Sequence, residues 1–393
     1  MIDIESVRRD TPSCARLIHF NNAGASLLPV AVTRAVEAYE RKEGELGAYE
    51  AEMHGQHELE SVYDSIARLV GASRDEIALT DSATRAWDSA FFSIPFESGD
   101  QILVSHAEYI SNILAFLHMR ERTGVEIVVV KNDEAGQIDL GHLRAVAGSR
   151  AKLIALTHVP TSSGLVNPIE EVGKIARERG ILYLVDACQS AGQIPLDVDR
   201  IGCDFLSATG RKFMRAPRGT GFLYVRKEAL PRTRPWVVDS RAATWTSRES
   251  YELRNDARRF ECYEANFASR VGLGAAADYA MELGVLAIWE RVQALAATLR
   301  ARLASVPRVT LHDQGAVQCG IVTFTAEGVA SASIRERLHP MAINVWVSPA
   351  AAAKLDLEER GVPDVVRASL HYFNTDAEIG RLIVELERIL SEA

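Results

Sequence analysis

The sequence lacks the features typical of secreted, membrane and nucleic-acid-binding proteins. Its five cysteines are scattered and never form a C-x-x-C pair, which disfavours a disulfide framework and a structural zinc site. The apolar runs are far shorter than the roughly 18 residues that cross a bilayer, and the charged N-terminus has no apolar signal core. With a net charge of -9 and no basic stripe, nucleic acid is not an expected partner. These absences predict a cytoplasmic protein with reduced thiols and no metal site.

Three common catalytic signatures are also missing. The segment "SATGRKFM" is no phosphate-binding Walker loop, because Arg211 separates Gly210 from Lys212 and Phe213 follows. The order of residues in "MHGQHELE" does not match the zinc-binding HExxH helix, and no G-x-S-x-G elbow is present for a serine hydrolase. The chemistry of this chain must therefore be sought elsewhere.

Short apolar runs alternate with helical stretches through the first part of the chain. Hydrophobic residues make up 47% and charged residues 25%, as in ordinary globular enzymes. Several runs are apolar on both faces, as in strands buried between helices. The pattern predicts an α/β fold around a mainly parallel seven-stranded sheet, with the last strand antiparallel because only a short turn precedes it. The seven runs are IALT, QILVS, EIVVV, LIALTHV, LYLVDA, FLSAT and GFLYV.

The pattern of predicted secondary structure changes near Gly272. A long helical stretch from Gly272 to Val306 is followed by shorter strand-like pieces and a C-terminal helix. We therefore predict a large α/β domain over residues 20–271 and a smaller α+β domain over residues 272–393, with residues 1–19 packing near the smaller one.

Polar residues follow the predicted strands at the ends where parallel sheets bind ligands. Asp186 ends "LYLVDA"; taken alone it could be a helix cap, a metal ligand or the partner of a cationic ring. Lys212 follows the next strand and alone would pass for a surface lysine. Together they fit pyridoxal 5'-phosphate (PLP), whose aldehyde binds a lysine and whose ring nitrogen binds an aspartate. Candidate phosphate ligands are Ala83 and Thr84 at a helix start, with Thr209 and Arg211.

Eight segments in the same order resemble the class V aminotransferases, the fold-type-I PLP enzymes that include cysteine desulfurases, isopenicillin-N epimerases and kynureninases. The resemblance extends over nearly the whole chain and implies a small amino-acid substrate and a homodimer with active sites at the subunit interface. The segments are HFNNAGASLLP, TDSATRAWD, SHAEYISN, HVPTSSGLVNPI, LVDACQSAGQIPLDV, DFLSATGRKFMRAPRGTGFLYV, RRFECYEANFA and VVRASLHYFNT.

The resemblance implies a role for each matching residue. Lys212 corresponds to the Schiff-base lysine, Asp186 to the partner of the pyridinium nitrogen, and Gln189 to the donor to the O3' atom. The other cofactor positions are Ala83, Thr84, Tyr109 stacked on the ring, Thr161 where desulfurases carry asparagine, Thr209 and Arg211. Without the resemblance, Tyr109 would be read as an ordinary buried tyrosine.

The resemblance also implies substrate-binding positions, but it leaves alternatives for some of them. Arg367 in "VVRASLHYFN" corresponds to the arginine that binds the α-carboxylate, and Ala25 lies in the matching N-terminal segment. His54, with His57 nearby, either borders the substrate mouth or is solvated on a helix. Arg215 and Arg218 could contact an acidic substrate group, but we expect them in solvent or at the dimer interface.

Two departures from the family pattern affect the predicted reaction. The segment "NVWVSPAAAAKLDLEERGVPDVVR" has no cysteine, although cysteine desulfurases of this type carry a nucleophilic cysteine there. The segment "CYEAN" (Cys262 to Asn266) replaces a Gly-Thr that often reaches the partner subunit's phosphate. We expect a desulfurase-like β-elimination lyase that breaks a C–S bond without a persulfide cysteine. An aminotransferase, an epimerase and a catalytically silent binding protein of the same fold remain alternatives.

Overall fold

A computed structural model describes residues 2–392. Over these residues the α-helices are α1 Ile4–Arg9, α2 Val30–Leu46, α3 Ala48–His54, α4 Gln56–Val70, α5 Ala83–Phe91, α6 Ile110–Thr123, α7 Leu140–Val146, α8 Ile169–Arg179, α9 Val198–Ile201, α10 Phe267–Leu283, α11 Val285–Ala304, α12 Ser331–Leu338 and α13 Asp376–Ser391. The strands are β1 Ile18–His19, β2 Ile77–Thr80, β3 Gln101–Val104, β4 Glu126–Val129, β5 Ala151–Thr157, β6 Leu182–Asp186, β7 Phe205–Thr209, β8 Gly221–Val225, β9 Ala243–Ser247, β10 Ser250–Leu253, β11 Val309–Leu311, β12 Ile321–Ala326, β13 Ile343–Asn344, β14 Trp346–Ser348 and β15 Val365–Ser369.

The larger sheet has seven strands in the order β2-β8-β7-β6-β5-β3-β4. All seven apolar runs of the sequence form it, which confirms the predicted α/β architecture. β8 is antiparallel to both β7 and β2, as the short preceding turn predicts, and the neighbouring pairs from β7 to β4 are parallel. The central strands are buried on both faces because helices cover both sides.

A close approach between β8 and α5 shapes one end of this sheet. Ser82 caps α5 by accepting a hydrogen bond from the amide of Arg85 at 3.2 Å. A Cβ atom at Gly221 would lie only 2.7 Å from the Ser82 carbonyl carbon and 2.9 Å from the Ala83 nitrogen. Glycine at this position therefore lets the first turn of α5 sit at the carboxyl end of the sheet.

The second sheet is antiparallel, in the order β11-β12-β15-β14, and its core includes apolar residues from α11, α12 and α13. The predicted single helical stretch is wrong in one respect: it is broken at Gly284, whose φ of +81° ends α10 before α11 begins. Leu273 and Ala276 of α10 pack in the core of the seven-stranded sheet. The division into two domains, with its boundary at residue 272, stays a prediction.

No single helix within residues 2–392 has both the length and the apolar character to cross a membrane. Helices α10 and α11 would meet that test only when taken together, and they are bent by 78° relative to each other.

The N-terminal segment is tied to the C-terminal part of the chain. β1 pairs in parallel with β13, and the amide of Phe20 continues this contact by donating to the carbonyl of Asn344 at 2.8 Å. Arg8 forms an ion pair with Glu378 at 2.7 Å. These contacts hold the "HFNNAGA" segment, which follows β1, between the two sheets.

Arg215 is buried, and its predicted position in solvent or at a dimer interface is wrong. Its exposed fraction is 1%. Its guanidinium donates to the Tyr372 hydroxyl and to Thr11 Oγ1, both at 2.6 Å, and to the Leu27 carbonyl at 2.8 Å. Arg215 thus joins three distant parts of the chain at the junction of the two sheets.

We expect Arg215→Met to lower the free energy of unfolding by about 2–4 kcal/mol, because it leaves buried polar groups of Thr11 and Tyr372 without their partner. Urea unfolding at one protein concentration measures this. The control Arg179→Met removes an exposed arginine at the end of α8 and is expected to change stability by less than about 0.5 kcal/mol. Equal stability of the two variants would contradict the structural role of Arg215.

Candidate active site

Asp186 lies at the carboxyl end of β6, in the middle of the parallel strands. Its Oδ1 accepts a hydrogen bond from the Cys188 amide at 2.9 Å, and its Oδ2 accepts one from the Asn112 side chain at 3.1 Å. The residue is 5% exposed. A buried carboxylate held in this way is suited to a cationic partner in the adjoining cavity.

Lys212 lies in the turn that follows β7 and lines the same cavity as Asp186. Burial lowers the pKa of its ammonium group. Its Nζ lies 5.8 Å from the centre of the Tyr109 ring, and Tyr109 immediately precedes α6. The structure therefore brings together the three residues predicted to be catalytic.

The predicted phosphate ligands meet at one end of this cavity. Ala83 and Thr84 form the first turn of α5, where free amides and the helix dipole favour an anion. Thr209 at the end of β7 and Arg211 line the same end. The Arg211 guanidinium also donates to the Gly24 carbonyl, which fixes the "HFNNAGA" segment against it.

A hydrogen-bond network links the cofactor side of the cavity to the substrate side. Gln189 Nε2 donates to Thr161 Oγ1 and to the Ala23 carbonyl, both at 3.1 Å. Thr161 Oγ1 also accepts from Arg367 at 2.6 Å, and Arg367 donates to Asn21 Oδ1 at 3.1 Å. Since the amide nitrogen of Gln189 already has two acceptors, its predicted donation to the O3' atom requires one of these bonds to be exchanged.

Arg367 projects from β15 of the smaller sheet into the cavity beside Lys212. Burial lowers the pKa of its guanidinium to about 10, so it is still charged at neutral pH. Its Nε is buried without a hydrogen-bond partner in the described part of the chain. A buried arginine with a free donor is suited to bind a carboxylate in bidentate fashion.

A second, larger cavity of about 500 Å³ also has Lys212 and Arg367 in its wall. Ala25 lines it, and Trp346 and Arg218 form parts of its wall. Arg218 was expected in solvent or at an interface; it is exposed but also borders this cavity. The segment that carries a cysteine in desulfurases supplies another wall, which includes Pro349 and Ala353.

The remaining predicted positions lie outside this cavity in the single chain. His54 is exposed at the end of α3 and is not among the cavity-lining residues. Cys262 and Asn266 border a groove on the outer side of Asp81 and Arg85, next to the start of α5. A substrate role for His54 therefore stays a prediction that requires a second subunit.

Two buried residues of the site were not found from the sequence. Asn112 holds Asp186, as described above. Glu108 accepts hydrogen bonds from Ser105 Oγ at 2.7 Å and from the amide and hydroxyl of Thr157 at 3.0 and 2.6 Å. Both lie in "SHAEYISN", the polar segment that follows β3, with Glu108 before α6 and Asn112 in its first turn.

His158 is buried directly after β5, and burial lowers its pKa to about 3. Its amide donates to the Asp186 carbonyl at 3.0 Å. Below pH 6.5 the unfolded chain binds a proton that the native His158 does not bind, so this residue costs stability as the pH falls from 6.5 towards 3.

We expect the loss of unfolding free energy between pH 7 and pH 5 to be smaller in His158→Gln than in the wild type, by about 2 kcal/mol. Urea unfolding at both pH values measures the difference. Identical pH dependence in the two proteins would show that His158 is accessible to protons in the folded state.

All five cysteines fall within the described residues, and all are free. None of them lines the larger cavity, while Cys188 borders the smaller one beside Asp186. Burial and the neighbouring Asp186 raise the pKa of the Cys188 thiol well above its usual value. Within residues 2–392, no group of three or more metal-binding side chains is arranged to hold a metal ion.

The residues present fit PLP. A buried carboxylate, Asp186, stands at one end of the smaller cavity, and an anion site formed by a helix start and Arg211 is present in the same cavity. Lys212 lines the same cavity, and the described part of the chain offers it no ion-pair partner. The unpartnered buried atoms Gln189 Oε1 and Arg367 Nε also face this region, and buried polar atoms of this kind call for a partner.

Comparison with known proteins agrees with this geometry. Residues 18–382 match the family model named aminotransferase class-V. A probable cysteine desulfurase from Methanothermobacter thermautotrophicus is 32% identical over 394 residues, which cover 98% of each chain. A probable cysteine desulfurase from Xylella fastidiosa is 31% identical over 404 residues, which cover 98% of this chain and 95% of the relative.

Solved structures give the same result. The apo cysteine desulfurase from Thermococcus onnurineus NA1 is similar with a TM-score of 0.93 and 26% identity, over 100% of this chain and 99% of that one. The cystine C–S lyase C-DES, in complex with its reaction product cysteine persulfide, has a TM-score of 0.86 and 25% identity, over 96% of this chain and 99% of that one. The chain therefore belongs to the class V aminotransferase family of PLP-dependent enzymes and has their fold-type-I architecture.

Proposed function

We propose that this enzyme is a C–S lyase that acts on cysteine-type amino acids by β-elimination and uses no persulfide-forming cysteine. One observation carries the proposal: the cavity that holds Lys212 and Arg367 has no cysteine in its wall. Relatives named cysteine desulfurase, together with a structurally similar cystine C–S lyase, support a sulfur-containing amino acid as substrate.

The proposed roles follow from the positions of the side chains. Arg367 binds the α-carboxylate, which orients the Cα–H bond of the substrate towards Lys212. Lys212 Nζ takes the α-proton, and burial assists this because it lowers the pKa of the amine. Asp186 holds the cofactor ring by its nitrogen. PLP supplies an electron sink for the negative charge that develops at Cα.

The reaction balances without a redox partner. Loss of the α-proton to Lys212 is followed by cleavage of the Cβ–S bond, and sulfur leaves with the electron pair as a thiolate that then takes up a proton. The remaining three-carbon fragment takes up water and yields pyruvate and ammonia. No oxidant, reductant or acceptor 2-oxoacid is consumed.

Turnover with and without 2-oxoglutarate tests this proposal. Purified holoenzyme is incubated with cysteine, cystine and S-alkylcysteines, and pyruvate, ammonia and the chirality of the remaining amino acid are measured. We expect pyruvate and ammonia at equal rates in both conditions. Strict dependence on the oxoacid would identify an aminotransferase instead, and racemisation without pyruvate would identify an epimerase.

We also propose a homodimer with the active sites near its interface. Several large apolar side chains are strongly exposed, as is common where another subunit binds. Those on α3, the β9–β10 hairpin and the adjoining loop are Tyr49, Met53, Trp245, Tyr251 and Tyr263. Light scattering of the wild type and of a Trp245→Glu variant tests this, and a monomeric wild type would refute it.

A cytoplasmic location is the remaining proposal. Its support is the set of five free cysteines, which suits a reducing compartment. Cell fractionation with an antibody against this chain tests it, and recovery in a secreted or membrane fraction would refute it.

A further inference from the structure

Arg218 is the cationic side chain of the substrate cavity wall to which the proposed reaction gives no role. It follows the Lys212 turn and lines the same cavity as Arg367. Within residues 2–392 its guanidinium takes part in no ion pair, and every other cation of the cavity has a role in the proposed mechanism. Arg211 faces the phosphate end, Lys212 is the base and Arg367 binds the α-carboxylate.

The acidic groups of the cavity do not neutralise Arg218. Asp356 is buried and forms an ion pair with Arg360 at 3.0 Å. Glu108 is buried and receives hydrogen bonds from Ser105 and Thr157. Neither carboxylate pairs with Arg218, so its guanidinium is available to an anionic group of the substrate.

The space between these groups is wide and partly apolar. The cavity measures about 500 Å³, and Ile110, Trp346 and Val347 line it. Two of the other lining residues, Ala352 and Ala353, have small side chains. A substrate with a side chain longer than that of cysteine would bury apolar area against Trp346.

We propose that Arg218 binds an acidic group on the leaving thiol, so that the substrates are S-substituted cysteines whose substituent is a short carbon chain ending in a carboxylate. The predicted cleavage of these substrates rests on the proposed lyase function, whereas the predicted binding preference does not. In the reaction the Cβ–S bond breaks as described above, and the acidic thiol leaves towards the open mouth of the cavity, where Arg218 is exposed to solvent.

Binding of analogues that cannot be cleaved tests the preference directly. In 2-aminopimelate and 2-aminoheptanoate a methylene replaces the sulfur atom, and the two differ in a terminal carboxylate against a methyl group. We expect calorimetry on the dimeric holoenzyme to show at least about tenfold tighter binding of 2-aminopimelate. In Arg218→Gln we expect this preference to disappear while the affinity for 2-aminoheptanoate is unchanged, and in Arg218→Lys part of it to remain. Arg179→Gln, which changes an exposed arginine at the far end of α8, is the matched control and keeps the preference.

Turnover of S-(2-carboxyethyl)cysteine and S-propylcysteine gives the second readout. We expect kcat/KM to be at least about tenfold higher for the acidic substrate, and Arg218→Gln to lower it for that substrate only. Equal binding of the two analogues, or an equal loss for both in Arg218→Gln, would overturn the inference. If no pyruvate forms in reactions without an oxoacid, the lyase proposal is overturned instead. The binding preference is still tested in that case, because the analogues are bound without being cleaved.

Discussion

Lys212→Ala is expected to lower kcat/KM by about 10⁴-fold or more, because one substitution removes the residue that we propose as both the general base and the covalent anchor of the cofactor. The visible absorption band of the lysine-bound cofactor should be lost from the purified protein at the same time. Steady-state kinetics and an absorption spectrum measure the two effects. Partial recovery with an added small primary amine would assign the loss to the missing base.

Lys174→Ala is the control for this prediction. Lys174 is exposed on α8, where it pairs with Glu171 at 2.5 Å, and it lies far from the cavity in the chain fold. We expect wild-type kinetics and a wild-type spectrum from this variant. If Lys212→Ala retained both the band and the activity, the assignment of Lys212 would be wrong.

Asp186→Asn is expected to reduce kcat by about 10²–10⁴-fold and to weaken cofactor binding. The substitution keeps the size of the side chain but removes the buried charge that we propose as the partner of the ring nitrogen, and the loss of one partner of a buried ion pair costs about 3–5 kcal/mol. Cofactor titration and single-turnover kinetics measure the two effects.

Asp204→Asn provides the comparison for Asp186. Asp204 lies just before β7, at the opposite end of the same sheet, and accepts a hydrogen bond from the Tyr183 amide at 2.8 Å. We expect its replacement to affect stability without changing cofactor affinity. A similar loss of affinity in both variants would indicate a general loss of folding and no specific role for Asp186.

The architecture of the large sheet could be predicted because its strands are apolar on both faces and are separated by helical segments. The position of the site followed from the topology, since Asp186 ends β6 and Lys212 follows the end of the adjacent strand β7. The hydrogen bonds of the site were less accessible to prediction. Asn112 reaches Asp186 across 74 residues of the chain, and no local pattern reports such a contact.

Arg215 shows most clearly where sequence patterns fail. In "RAPRG" it has the appearance of a turn residue, because a proline and a glycine follow closely. Its partners Thr11 and Tyr372 are 204 and 157 residues away, so its burial depends on the assembly of the whole chain. The break at Gly284 is a related case, because a single glycine inside a helical pattern is compatible with both a continuous and a broken helix.

The most direct test of the account is a mass balance for sulfur in a single turnover without any oxoacid. One equivalent of cysteine is mixed with excess holoenzyme, and pyruvate, ammonia, sulfide and the intact mass of the protein are measured. The account predicts one equivalent each of the three products and a protein whose mass has no added sulfur. Sulfur retained on the protein, with the retention abolished by a cysteine substitution such as Cys188→Ser, would contradict it.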